Sequence, residues 1–181
     1  HYEDYKAGSA KLDACMELVH GALDGGHHIL LFSQFTGMLD IIGKRLAKED
    51  IGFLKLTGAS SKESRAKMVA QFQAGEVPVF LISLKAGGVG LNLTAADVVI
   101  HYDPWWNVAA QDQATDRAHR IGQQHTVTVY KLIAKDTIEE RIMQMQESKR
   151  DLVNSVLGGD GISSALFTRE DVLALLGGDG R

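Results

Sequence analysis

The sequence is poor in cysteine and proline, with one Cys and two Pro among its 181 residues. The single Cys15 excludes an internal disulfide and fits a reducing, intracellular compartment, where it would serve as a small apolar residue of a helix face. No stretch reaches the roughly 20 consecutive apolar residues that a membrane-spanning helix needs. We therefore predict an intracellular chain with no membrane partner.

The sequence also lacks a run of charge of either sign. The net charge is −4, and the 19 Lys and Arg residues are scattered along the chain. This balance argues against a wholesale electrostatic clamp on nucleic acid, although a local cluster of cations remains possible because phosphate affinity depends on where the cations lie. Composition alone therefore indicates no partner.

Metal-ligand spacing is missing as well. The histidines at 27, 28, 101, 119 and 125 have no regular spacing with other ligands, and no Cys pair accompanies them. We predict no metal site. The chain begins with neither Met nor a basic-then-apolar signal pattern, so we expect an internal piece of a longer protein.

Apolar periodicity predicts strands that alternate with helices. Helices are predicted at 9–23, 37–49, 60–73, 106–120, from 137 onward and at 168–176, and strands at 29–33, 53–58, 77–83, 97–103 and 127–134. Ser60 with Glu63, and Thr137 with Glu140, are predicted to form capping boxes. The alternation predicts an open, mostly parallel α/β sheet of about five to six strands sandwiched by helices. Ligands of such sheets gather at the carboxyl ends of the strands, here after Ser33, Leu56, Ser83 and Asp103.

The glycine loop "LISLKAGGVGLNLTAADVVIHYD" (81–103) invites a dinucleotide-binding interpretation, which fails. The fingerprint requires a third glycine where Leu93 stands, and residues 93–96 are too few for the crossover helix. Glycines at 87, 88 and 90 beside Lys85 could form an anion-binding nest. A simple tight turn is the alternative interpretation.

Two arginines, Arg117 and Arg120, lie at i and i+3 and so share one face of the helix predicted at 106–120. They could be solvated side chains, with Asp116 and Arg120 forming a weak i,i+4 pair. They could instead recognise phosphate, because guanidinium keeps its charge and offers a fork of donors to several oxygens. The residues themselves leave both interpretations open.

The segment "DPWWN" (103–107) puts two indoles at a strand-to-helix corner. Either Trp105 or Trp106 alone would be interpreted as a core residue. Two adjacent tryptophans rarely bury in the same direction, so one of them could face a groove and pack on a nucleic-acid sugar or base.

Four segments together closely resemble the second RecA-like lobe of the Snf-type DNA-translocating ATPases, a branch of the superfamily-two helicases. They are "ILLFSQFTGMLD", "LTGASSKESRAKMVAQFQ", "LISLKAGGVGLNLTAADVVIHYDPWWNVAAQDQATDRAHRIGQ" and "VYKLIAKDTIEERI", and they occur in the family's order. The resemblance covers roughly residues 9–157, and the combination of "DPWWN" with "DRAHRIGQ" is its most specific part. It implies a RecA-like helicase C-terminal lobe at 9–135, preceded by a linker at 1–8. A brace helix follows at 136–157, then a linker with a short terminal helix at 158–181.

The resemblance also implies roles for individual residues. Arg117 and Arg120 resemble arginine fingers that reach a triphosphate held by a first lobe, with Gln113 as a companion. Gly90 and Asn92 would approach the nucleotide. Residues resembling the loops that grip the backbone of one DNA strand are Ser33, Gln34, Thr57, Gly58, Lys85, Ala86, Gly87 and Gly88. Trp106 resembles the tryptophan that couples DNA to hydrolysis.

One departure from the family pattern is large. The chain has neither the Gly-x-x-x-x-Gly-Lys-Ser/Thr phosphate loop nor the Asp-Glu-x-His magnesium motif. ATP and Mg²⁺ would therefore be held mostly by a first lobe outside this chain, and we expect the chain alone to be inactive.

The resemblance implies double-stranded DNA and the N-terminal ATPase lobe as partners, and a DNA-bound protein is a possible target. The location would be the cytoplasm or nucleoid of a bacterium or archaeon, or a eukaryotic nucleus. The alternative hypothesis is that the chain acts only as a weak, non-specific DNA-binding or protein-interaction module.

Overall fold

The computed structural model describes residues 10–84, 86, 91–104, 126–135 and 137–157. The strands of this part are β1 (Ile29–Ser33), β2 (Phe53–Leu56), β3 (Val79–Ser83), β4 (Val98–His101) and β5 (Thr128–Lys131). The helices are α1 (Ala10–Asp24), α2 (Thr36–Lys48), α3 (Lys62–Gln73) and α4 (Ile138–Leu157). The helices predicted at 106–120 and 168–176, and the linkers predicted at 1–8 and 158–164, lie outside the described residues.

All five strands are parallel and follow the order β2-β3-β1-β4-β5. The predicted open α/β sheet is therefore confirmed, with five strands in the described part of the chain. The three central strands are apolar runs that end in a polar residue, and every residue in them is buried, including that polar residue. Such runs arise because helices cover both faces of a parallel sheet.

Alternation along β1 divides the core into two layers. Ile29 and Leu31 face a cluster that includes buried side chains of α1 and α2. Leu30 and Phe32 face the opposite cluster, which includes Phe72 of α3. Successive side chains of a strand point to opposite faces, so one strand supplies both layers. The sheet is thereby packed between its helices, and this packing holds the carboxyl ends of its strands in place.

In the described part of the chain, the edge strands of the sheet are β2 and β5. Helix α2 packs closely against β2 at Gly43, where an added Cβ would lie 3.0 Å from the ring of Phe53. Lys55 of β2 points to solvent and donates a hydrogen bond to the carboxylate of Asp40 on α2. The predicted strand at 53–58 ends at Leu56, because Thr57 begins a turn.

One predicted helix cap is wrong by one residue. Ser61, rather than Ser60, is the N-cap of α3, and its hydroxyl accepts a hydrogen bond from the Ser64 amide at 3.1 Å. The hydroxyl of Ser60 is used by the preceding turn, where it accepts from the Thr57 amide at 3.2 Å. At α4 the predicted cap residue is confirmed, since the Thr137 hydroxyl accepts from the Glu139 amide at 3.2 Å.

Cys15 lies in the core between α1 and the sheet, fully buried as predicted. Burial raises the pKa of its thiol to about 12, so the thiol stays protonated and unreactive at neutral pH. Among the described residues, no helix is both long and apolar enough to cross a membrane.

Candidate functional site

The parallel sheet brings the ends of its strands to one edge, and backbone hydrogen bonds extend the ladder past those ends. The amide of Leu84 donates to Ser33 at 3.1 Å, and the amide of Tyr102 donates to Phe32 at 2.9 Å. The segments after β1, β3 and β4 are therefore held side by side. The strand ends at which the sequence predicts a ligand thus lie together, and the site itself stays a prediction.

Asp103 organises the segment that follows β1. Its carboxylate accepts from the Ser33 hydroxyl at 2.5 Å and from the Gln34 amide at 3.0 Å. The Ser33 hydroxyl also accepts from the Phe35 amide at 3.1 Å, and the Gln34 side-chain amide donates to the Pro104 carbonyl at 3.3 Å. The start of the "DPWWN" corner is thus tied to the loop after β1.

The carboxyl group of Asp103 is only 4% exposed. Burial raises its pKa above the ordinary value, although the hydrogen bonds from the Gln34 amide and the Ser33 hydroxyl act in the opposite direction. A buried acceptor held by two donors is costly to remove, because truncation leaves those donors without a partner. Asp103 therefore fixes the conformation of two loops at once.

The sequence-predicted DNA-contact residues of this region differ in exposure. Ser33 is fully buried and its hydroxyl is engaged inside the protein, while Gln34 is partly exposed. Ala86 is 3% exposed. Thr57 is partly exposed, Gly58 is exposed, and Asn92, the candidate for nucleotide contact, is also exposed. Ser33 and Ala86 are thus buried within the protein, whereas Gln34, Thr57 and Gly58 are at least partly exposed at the surface.

A closed turn follows β2 at residues 57–60. The Ser60 amide donates to the Thr57 carbonyl at 3.1 Å, while the Thr57 amide donates to the Ser60 hydroxyl at 3.2 Å. In the described part of the chain, no acceptor is bonded to the amides of Gly58 and Ala59. An added Cβ at Gly58 would meet no atom within 4 Å. The tip of the turn therefore offers backbone donors to an anion from an open position.

Arg65, which was not among the residues predicted from the sequence, connects this turn to Ala86 at the start of the glycine loop. Its guanidinium donates to the carbonyls of Ser60 at 3.0 Å, Thr57 at 3.4 Å and Ala86 at 3.1 Å. A lone arginine on a polar helix gives no sequence signal for such a role, because its acceptors are backbone carbonyls. Knowing that β2 and β3 are neighbours would have indicated that one side chain could reach both loops.

An ion pair joins α1 to the start of α4. The Lys11 ammonium lies 2.7 and 2.5 Å from the two carboxylate oxygens of Glu139, and 5.1 Å from the centre of the Tyr102 ring. Glu139 also accepts from the Ala134 amide at 2.8 Å. Both charged side chains are largely shielded, with 14% and 24% exposure. The helix that resembles a brace is thereby held beside the end of β4.

Several predicted site residues lie outside the described residues. They are Gln113, Arg117 and Arg120, the loop positions Lys85, Gly87, Gly88 and Gly90, and Trp106. Their roles stay predictions. Within the described ranges, no group of three or more His, Cys, Asp or Glu side chains could hold a metal ion.

Comparison with known proteins identifies the class to which this open α/β lobe belongs. A model of the helicase conserved C-terminal domain matches residues 10–122. An uncharacterised ATP-dependent helicase of Mycoplasma pneumoniae is 46% identical over 168 residues, which is 92% of this chain and 16% of that protein. The chromatin-remodelling ATPase INO80 of Cryptococcus neoformans is 46% identical over 165 residues, or 91% of this chain and 9% of that protein.

Solved structures agree with the sequence comparison. The crystal structure of the C-terminal part of the Fun30 ATPase domain has a TM-score of 0.73 and 39% identity, covering 80% of this chain and 47% of that one. The Sulfolobus solfataricus SWI2/SNF2 ATPase core in complex with double-stranded DNA has a TM-score of 0.69 and 40% identity, covering 82% and 31%. The chain belongs to the helicase C-terminal domain family, in the branch of the SNF2-type ATPases. It spans less than a fifth of the two curated relatives described above.

Proposed function

We propose that this chain is the second motor lobe of an ATP-dependent translocase acting on double-stranded DNA. The observation that carries the proposal is the strand-end edge of the sheet, where hydrogen bonds within the protein hold the loops after β1 and β2, Leu84 and Ala86 in place. The SWI2/SNF2 core that this chain resembles is in complex with double-stranded DNA. The two proteins share a fold and are 40% identical in sequence, which supports a shared partner.

The DNA-facing surface in this proposal is the strand-end edge, with Gln34, Thr57 and Gly58 as its exposed members. The open amides of Gly58 and Ala59 would donate to phosphate oxygens of one strand, which is sequence-independent recognition. Ser33 and Ala86 would act from beneath by holding their loops in place. Lys85, Gly87 and Gly88 would add a cation and close backbone approach from the neighbouring loop, and Trp106 would couple this grip to ATP turnover.

The nucleotide-facing part of the lobe is proposed to hold Arg117, Arg120, Gln113, Gly90 and Asn92. A first lobe would supply the phosphate loop and the magnesium ligands that this chain lacks. Lobe closure would bring the two guanidinium groups against the phosphates, where they stabilise developing negative charge. Opening would withdraw them, and the alternation would move the DNA-gripping loops along the backbone.

A comparison of ATP hydrolysis by the two-lobe protein and by this chain alone provides the direct test. The two-lobe protein that contains this chain is expected to hydrolyse ATP faster when double-stranded DNA is added, and this chain alone is expected to show background turnover. Phosphate release, measured with and without DNA, distinguishes the two preparations. DNA-stimulated hydrolysis by the pure chain would contradict the division of the site between two lobes.

Replacing Gly58 with alanine tests whether the turn approaches DNA. The backbone of Gly58 has no positive φ and the added methyl group meets open space, so folding gives no reason to keep glycine there. We expect an unchanged or slightly raised melting temperature. The DNA concentration for half-maximal stimulation should rise about fivefold, the effect of losing roughly one hydrogen bond of about 1 kcal/mol.

Gly21→Ala is the matched control, because that glycine also has open space around it but lies within α1. It should stabilise the helix by about 0.5–1 kcal/mol and leave the DNA response unchanged. Equal DNA responses of the Gly58 and Gly21 variants would argue against a DNA contact at the turn.

The biological setting follows from the same proposal. DNA as partner places the protein inside the cell, in the nucleoid or cytoplasm of a bacterium or archaeon, or in a nucleus. A DNA-bound protein would be the object that the translocating motor displaces or remodels.

A further inference from the structure

Arg65 occupies an unusual position for a cation. It lies in the first turn of α3 (Lys62–Gln73), where the helix dipole disfavours positive charge. Its side chain reaches back past the N-cap and forms the three carbonyl hydrogen bonds described above. Helix stability therefore does not explain the residue, and its function must lie in what the guanidinium connects.

The guanidinium connects two separate loops. The carbonyls of Thr57 and Ser60 belong to the turn after β2, and the carbonyl of Ala86 belongs to the loop after β3, 21 residues further along the chain than Arg65. Strands β2 and β3 are neighbours in the sheet. One planar group thus fixes the separation between the open turn and the start of the glycine loop.

The chemistry favours arginine over lysine at this place. Guanidinium carries five N–H donors in a rigid fork, so it can satisfy carbonyls that lie in different directions at once. An ammonium group is a compact point charge on a flexible stem and does not reproduce this geometry. In addition, no described carboxylate lies within ion-pair distance of Arg65. Within the described ranges, its charge therefore has no carboxylate partner at the edge where phosphate is proposed to bind.

We propose that Arg65 is a positioning residue that locks the turn at 57–60 against Ala86, so that the turn presents its open amides to the phosphates of a DNA strand. The inference rests on the proposed function of this edge. Arg65 acts through the backbone of its neighbours, and its removal would leave the turn at 57–60 without its link to Ala86.

The test uses the two-lobe protein with Arg65→Lys and Arg65→Gln. Both variants are expected to raise the DNA concentration for half-maximal stimulation about tenfold, which corresponds to about 1.4 kcal/mol. ATP turnover without DNA and the KM for ATP should stay at wild-type values, since Arg65 donates to the carbonyls of Thr57, Ser60 and Ala86, none of which is proposed to face the nucleotide. Thermal unfolding, measured in parallel, reports whether the variants are folded.

Arg45→Lys is the matched control. Arg45 lies on α2 and pairs with Glu49 at 2.7 Å on an exposed face, so the same substitution there should change none of these quantities. A wild-type DNA response in Arg65→Lys would overturn the proposal, because it would show that a positive charge alone suffices at this position.

Two further outcomes have clear meanings. A lowered melting temperature with a proportional loss of DNA-free turnover, and no selective change in the DNA response, would show a merely structural role and overturn the inference. Absence of DNA stimulation in the wild-type protein would overturn the proposed function itself. That failure is distinguishable because it occurs without any substitution at Arg65.

Discussion

Arg120→Ala in the two-lobe protein is expected to lower ATP turnover by about a thousandfold or more while DNA binding is retained. The reason is that a guanidinium supplied from the opposite lobe stabilises negative charge only as the phosphoryl group is transferred. DNA contacts, in contrast, are proposed for other loops of the sheet edge. The measurement pairs ATP hydrolysis at saturating DNA with a direct DNA-binding titration.

Three companion variants sharpen this test. Arg120→Lys is expected to recover little activity, because an ammonium cannot offer forked donors to several oxygens. Arg117→Ala should resemble Arg120→Ala. Arg45→Ala, at an exposed pair with Glu49, should turn over normally. If Arg120 were instead a solvated residue paired with Asp116, its removal would cost at most about 1 kcal/mol of stability and leave turnover intact.

Lowering the pH from about 6.5 to about 4 is expected to destabilise the protein through His101. This imidazole at the end of β4 is 1% exposed and stacks on Phe32, with ring centres 5.5 Å apart. Burial lowers its pKa from 6.5 to about 4, with a further contribution from the positive charge of Lys131. The folded state therefore favours the neutral ring.

The direction of the effect follows from proton linkage. Below pH 6.5 the unfolded chain binds a proton at His101 that the folded protein takes up only near pH 4, so acid favours unfolding within that window. The free energy lost by pH 4 is about 3 kcal/mol, from a shift of roughly two and a half pH units. Above pH 6.5 this contribution to stability is fully present.

Denaturant titrations of wild type and His101→Gln at pH 7, 6, 5 and 4 provide the measurement. Glutamine does not titrate, so any disadvantage of the variant at pH 7 should shrink as the pH falls. Carboxyl groups elsewhere in the protein affect both chains alike and cancel in the difference. A stability difference that stays constant with pH would contradict the buried, neutral state of His101.

Much of the fold was predictable because its signals are local. The runs predicted as strands at 29–33 and 77–83 are apolar, short and bounded by turn residues, which is the pattern of buried parallel strands, and the second strand begins at Val79 in the structure. Helix ends were less reliable. Ser60 and Ser61 are adjacent and both are good caps, and only the hydrogen bond of Ser60 with Thr57 decides between them.

The strand ends were predictable, but the side-chain contacts that connect them were not. Gln34, Thr57 and Gly58, which the family resemblance implied as DNA contacts, lie just after β1 and β2, and their role stays a prediction. The contact between Lys11 and Glu139 joins residues 128 positions apart, and no periodicity encodes it. The link from Arg65 to Ala86 was missed for the same reason, since it depends on β2 and β3 being neighbours.

The two edge strands of the described sheet, β2 and β5, determine whether a strand from another chain can pair with it. Edge strands expose unpaired backbone groups that can recruit another chain into an aggregate. Here β2 carries Lys55, tied to Asp40, and β5 carries Lys131, and both strands are only four residues long. Adding a strand at either margin would require desolvating a charge for few new hydrogen bonds. The lobe can thus keep an open sheet without aggregating through its edge strands.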